Sequence, residues 1–167
     1  MKKTALLLFL ISVCGSAQKQ SLQMTLDKMA KADSGYFECH SSYWKIVAAK
    51  TDAIPLLIAK LDDTTPTTAK NKCKDGNLKV GDIAFLALAQ IMRLPIAAIT
   101  QMQFDVMEAN GCQGYVFDYI DANRSQFKTQ VNAYYLQNKS KLKFQKYNSK
   151  SLNRCQRKNK ILGYYDI

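Results

Sequence analysis

Residues 52–63 read DAIPLLIAKLDD. Ile54, Leu57, Ile58 and Leu61 fall at i, i+3, i+4 and i+7, one stripe of an α-helix, and Leu56 widens it. Pro55 sits in the first turn, where its missing N–H breaks no intrahelical bond. Asp52 precedes it as a candidate cap. Asp62 and Asp63 close the run at the end where the helix dipole disfavours acids. They are therefore expected to serve the following turn, accepting from nearby backbone N–H groups. A short helix with one apolar stripe needs a partner, and the fold turns on what covers it.

The next apolar run supplies a candidate. LKVGDIAFLALAQIMRL is apolar almost all round from Ile83 to Leu94, the pattern of a central, buried helix. Asp82 is a candidate cap, and Pro95 closes or bends the helix. Between the two runs lies TTPTTAKNKCKDGN, a polar stretch of 14 residues. Read as a loop, it is long enough to be functional or tied down, and Cys73 offers the tie.

Helical patterns recur on both sides. SLQMTLDKMAK, residues 21–31, predicts a first helix, with Gly35 as a stop. SSYWKIVAAK predicts a second, capped by Ser41 or Ser42, with Tyr43, Trp44, Val47 and Ala48 on one face. PIAAITQMQFDVMEANG carries Ile96, Ile99, Met102 or Gln103, Val106 and Met107 at helical spacing and ends at Asn110–Gly111. GYVFDYI, residues 114–120, is aromatic. NRSQFKTQVNAYYLQNK predicts a last helix through Phe127, Val131, Tyr134, Tyr135 and Leu136, with Ser125 as a candidate cap. No segment shows sustained apolar alternation of period two, so the expected fold class is all-α, with about five to seven helices.

DAIPLLIAKLDD resembles the first helix of a HEAT repeat, in which an apolar run follows a proline and ends in leucine and aspartate. VGDIAFLALAQI, residues 80–91, resembles the second helix. The resemblance departs at two points. The short turn is replaced by the Cys73 stretch, and Gly81 stands where an arginine often follows the Val. The resemblance implies a HEAT-like helical stack, a scaffold used mostly to bind other macromolecules; an irregular helical bundle is the other reading.

The amino terminus reads as an export signal. Lys2 and Lys3 precede the apolar run Ala5 to Val13, which is too short to span a bilayer, and Gly15, Ser16 and Ala17 offer a cleavage site. Residues 1–17 are thus expected to be a signal peptide, with a periplasmic or extracellular product. Cys14 raises a rival, lipoprotein anchoring, but Val13 is bulky for it. Cys39, Cys73, Cys112 and Cys155 then form an even set, expected as two disulfides of open pairing. They lie 34, 39 and 43 residues apart, with no C-x-x-C, so no metal site is expected.

The net charge of +11 is unevenly spread. Nine Lys or Arg and no acid lie between Asn138 and Lys160, whereas Gln18 to Gln137 holds 13 basic and 12 acidic residues. The expected organisation is a domain over 18–137 followed by a basic extension over 138–167.

Catalytic patterns are sparse. His40 is the sole histidine and reads as a cap or turn residue. Glu38, Asp105 and Glu108 are the candidate acids for an envelope hydrolase. No nucleophile elbow, zinc helix or phosphate loop occurs, and no cofactor is expected. The expectation is instead a non-enzymatic binding protein of the cell envelope, in the manner of an immunity or inhibitor protein that blocks a secreted toxin or cell-wall hydrolase. The candidate partner face comprises Tyr43, Trp44, Lys74, Asp75, Tyr115, Phe117, Lys141, Lys143, Lys146, Arg154 and Arg157. Aromatic and arginine side chains favour such roles, and the basic residues suit an acidic protein, or an anionic lipid or glycan. Export argues against nucleic acid.

Overall fold

The structure, a computed structural model, describes Met24, Thr25, Asp27, residues 40–103, Cys112 and residues 115–167. The expected signal peptide with Cys14, and Glu38, Cys39, Asp105 and Glu108, lie outside the described residues. Of the first expected helix, Met24, Thr25 and Asp27 are described, and all three are helical.

The apolar stripes fold as helices. Helix α1 is Ser41–Ala48. His40 caps it in place of Ser41 or Ser42, its Nδ1 accepting from the Ser42 N–H at 3.3 Å. A 3₁₀ turn, Lys50–Ala53, leads into α2, Ile54–Ala59. Asp52 lies in that turn rather than at the cap, which is Ala53. Asp63 behaves as its position suggests: Oδ1 accepts from the Thr65 N–H at 3.0 Å, and Oδ2 pairs with Lys60 at 2.9 Å. Helix α3 is Val80–Ile91. Asp82 stands one turn inside it and reaches back to the Lys79 N–H at 2.8 Å.

The expectation of an all-α fold, whether HEAT-like stack or helical bundle, is overturned by four strands in two antiparallel pairs. The stretch read as a loop is a hairpin, β1 (Pro66–Asn71) against β2 (Lys74–Lys79). Its alternation escapes a hydropathy reading because the inward residues are Thr67, Ala69 and Asn71. Thr67 satisfies its buried hydroxyl by donating to the Leu78 carbonyl at 2.6 Å, so the strand needs little buried hydrocarbon. The tie is present: Cys73 is disulfide-bonded to Cys112.

Beyond α3 the expected long helix begins as α4, Ile96–Thr100, which ends at left-handed Gln101; Val106, Met107 and Asn110–Gly111 lie outside the described residues. Helix α5, Val116–Asn138, absorbs both the aromatic segment and the last expected helix. Its backbone breaks at Asn123, two residues before the serine read as a cap.

The basic extension is folded. Strand β3 (Lys143–Lys146) pairs with β4 (Gly163–Asp166), and α6 (Arg154–Lys158) lies between them in the chain. Asn153 and Gln156 form a reciprocal cap at the start of α6. Strand β4 also bridges to Met92, and the Arg93 N–H donates to the Tyr165 carbonyl at 2.8 Å. Gly163 allows the closeness of β3 and β4, because a Cβ there would strike the Gln145 carbonyl and come within 2.7 Å of the Phe144 ring. Cys155 is also disulfide-bonded, to a cysteine outside the described residues.

One core joins these parts. Leu57 and Leu61 of the quoted stretch, Ile83 and Leu88 of α3, and Phe127 and Val131 of α5 are fully buried, and Ile161 of the C-terminal module joins them. No helix among the described residues is long and apolar enough to cross a membrane.

Candidate functional site

Two features outside the core's own needs stand out, and both involve the C-terminal module. The first is its charge. Lys139, Lys141, Lys143, Lys146, Lys150, Arg154, Arg157, Lys158 and Lys160 are all exposed. None forms an ion pair among the described residues. The module's one acid, Asp166, is engaged by Arg93 at 3.3 Å. Among the described residues this positive charge is thus uncompensated, and five of its nine members stand on ordered elements, Lys143 and Lys146 on β3 and Arg154, Arg157 and Lys158 on the capped helix α6.

The second is a cavity of about 290 Å³ where the module meets the ends of α1 and α3. Val47, Ala48, Ile91, Phe144, Leu162 and Tyr165 give it apolar walls, while Lys50 and Lys160 stand on its lining. Phe144 and Tyr165 face each other across β3 and β4, ring centroids 5.4 Å apart at a steep angle. Lys50 and Lys160 each follow the C-cap of a short helix and each has a left-handed backbone, φ 55° in both. That position favours glycine or asparagine, and another residue there costs of the order of 1 kcal/mol.

A third cluster, buried and polar, fixes the hairpin to α5. Arg124 of α5 donates to Asp82 at 2.7 Å and to Asp121. The Lys74 ammonium donates to Asp82 at 2.8 Å and to Asp121 at 2.6 Å, and Lys79 adds a bond to Asp121 at 2.8 Å. Burial pushes the Asp121 carboxyl up, but hydrogen bonds from Lys74, Lys79 and Arg124 outweigh it and hold the group well below the usual carboxylate range. Burial likewise opposes the Arg124 charge, and Asp82 and Asp121 reverse that. Every member of this cluster is occupied by another, so its chemistry is structural.

The expected partner face separates into two groups. Tyr43 and Trp44 lie in the core, where Tyr43 donates to the Leu86 carbonyl at 3.1 Å. Phe117 is also buried, edge-on to Phe85 and beneath the Lys74 ammonium. Lys74 belongs to the buried cluster. Asp75 is exposed on β2. Tyr115, 68% exposed with φ 65°, stands free of the core at the start of α5. Lys141, Lys143, Lys146, Arg154 and Arg157 are surface residues of the module. Sequence reasoning missed Lys50 and Gln90, and counted Lys160 in the basic extension without placing it beside them. Each ends or edges a helix and carries no motif; only the chain's return to α3 brings them together.

Among the described residues no group of three or more His, Cys, Asp or Glu is arranged to hold a metal. Comparison with protein-family models, curated proteins and solved structures finds no match to this chain. The functional reading rests on its own residues.

Proposed function

We propose that the chain is an exported, non-enzymatic binding protein that holds an acidic protein partner through its C-terminal module, as an immunity or inhibitor protein does with a secreted toxin or cell-wall hydrolase. The observation that carries the reading is the set of nine exposed cations, none in an ion pair among the described residues, on a folded module. A pre-ordered charged surface binds without first losing the freedom of a disordered tail. It also steers an oppositely charged partner during encounter. Export is supported by the lysine-led apolar run at the amino terminus and by disulfides at Cys73–Cys112 and Cys155, since such bonds persist in oxidising compartments.

The test is capture from envelope extract by the immobilised oxidised protein, repeated with Lys141→Gln/Lys143→Gln/Lys146→Gln. The three sites are exposed, so the fold is retained. The reading requires a protein captured by the parent and released by the variant and by added salt. Capture that is absent, or indifferent to the three substitutions, refutes it. Binding of the parent to anionic vesicles or glycan with no protein captured would transfer the role to an anionic surface.

A further inference from the structure

Apart from Lys160, which is one of the nine cations, the cavity between α1, α3 and the β3–β4 pair plays no part in that reading. We infer that it is a binding site for a small amphipathic monoanion, an apolar group of short-acyl or single-ring size ended by a carboxylate.

Size sets the first limit. A dry cavity of about 150 Å³ lined by aliphatic and aromatic groups holds one benzene ring, and cavities for drug-sized ligands begin near about 300 Å³. At about 290 Å³ this one admits a ring or a chain of several carbons. Its aliphatic and aromatic walls offer water few partners, so an apolar occupant gains what water cannot.

Charge sets the second limit. The lining holds Lys50 and Lys160 and no acid. Neither lysine forms an ion pair among the described residues. The Lys50 ammonium is not at large: it lies 5.6 Å from the centroid of the Phe144 ring, one wall of the cavity. Asn159 and Gln90 are the other polar side chains of the lining; the Asn159 amide is engaged, donating to the Cys155 carbonyl at 2.8 Å, and Gln90 is the third group with donors to offer. Its Oε1 accepts from Gln156 at 3.2 Å, which leaves its amide N–H groups as donors. Two cations and an amide around an apolar hollow match a carboxylate with a hydrocarbon body.

Backbone conformation is the independent observation. Both lysines sit in the left-handed region where a residue without a Cβ would be easier. Strain of this kind collects at ligand sites. Here two separate helix ends, 110 residues apart in the chain, accept it on the lining of one cavity.

The test is calorimetric titration of the oxidised protein with octanoate, and with octanol and octylamine as charge controls. Octanoate is expected to saturate one site with a dissociation constant below about 1 mM, at least about tenfold tighter than octanol, with octylamine weakest. Lys50→Gly/Lys160→Gly keeps the left-handed backbone and removes both cations. It should weaken octanoate about tenfold and leave octanol nearly unchanged. Ala48→Trp, at an exposed wall position, should abolish both. Octanoate that fails to bind, that binds no better than octanol, or that survives Ala48→Trp overturns the inference. Should the tryptophan variant not fold, the glycine variant decides alone: octanoate bound as tightly by it as by the parent overturns the inference. These outcomes are separate from the capture experiment, which is read at Lys141, Lys143 and Lys146.

Discussion

Arg124 donates through Nη2 to the Asp82 carboxylate at 2.7 Å, linking two buried side chains 42 residues apart. The pair joins the first turn of α3 to the middle of α5. Asp82 is wholly buried, and its other oxygen serves Lys74 and the Lys79 N–H. Removing Asp82 leaves the buried Arg124 guanidinium with Asp121 as its one carboxylate, half-exposed and shared with Lys74 and Lys79, at a cost of up to roughly 3–5 kcal/mol. Asp82→Ala should lower the unfolding free energy by up to that amount, read as a lower urea midpoint at unchanged slope. Asp82→Leu/Arg124→Met should cost less than the sum of its single changes, because the guanidinium and the carboxylate facing it are then removed together; strict additivity in the cycle would contradict the coupling.

Gly81, beside Asp82, is a close contact between α3 and the turn that follows α2. Its N–H donates to the Asp63 carbonyl at 2.9 Å. A Cβ there would press on the Leu61 carbonyl and stand 2.8 Å from Arg124 Nη1. Gly81→Ala is therefore expected to destabilise by roughly 1–3 kcal/mol despite its better helix propensity. Thermal denaturation gives the sign directly: a raised melting temperature would mean that the backbones have room.

Acid should unfold the protein from the carboxylate side. Burial raises the Asp63 pKa, but bonds from Thr65 and Lys60 prevail and bring it down to about 2 from 3.8. Asp121 is depressed further in the same direction. A depressed acid stabilises the fold fully above its unfolded pKa, and that stabilisation fades as pH falls toward the folded value. Urea midpoints should accordingly be flat from about pH 7 to 5 and decline below about pH 4. Asp63→Asn should flatten part of the decline; an unchanged acid limb would remove Asp63 from the explanation.

The Cys73–Cys112 bond closes a 39-residue separation around β2, α3 and α4. In the chain-entropy model such a loop is worth about 4 kcal/mol. Cys73→Ser/Cys112→Ser should lose about that much, read as a lower urea midpoint under oxidising conditions. A reducing agent should then weaken the parent more than the variant, which keeps only the bond at Cys155.

Apolar periodicity made α1, α2 and α3 readable, because burial of a stripe leaves the same residues fixed in sequence and in space. Asp63 was readable in its turn for a local reason: its partners are two and three residues away. Strand β1 was not, since its inward side is Thr67, Ala69 and Asn71, which bury hydrogen bonds in place of hydrocarbon. Strands β3 and β4 are four residues each and hold on by pairing, and β3 is exposed along its length. The charge of the site could be counted from the sequence. Its fixation could not, because that depends on Tyr165 meeting Met92 and Arg93 more than 70 residues away. Nothing local marks Lys50 or Lys160, where the helix ends lack the glycine that usually announces a left-handed turn.

The docking of β4 has a consequence for the lifetime of the molecule. Nine Lys or Arg between Asn138 and Lys160 are nine peptide bonds of the type that trypsin-like proteases cut in extended chain. For five of them, Lys143 and Lys146 paired in β3 and Arg154, Arg157 and Lys158 wound in α6, the backbone is offered for cleavage only when the module opens. While reclosing outpaces cutting, the nicking rate measures the open population, and so the free energy with which β4 holds to α3.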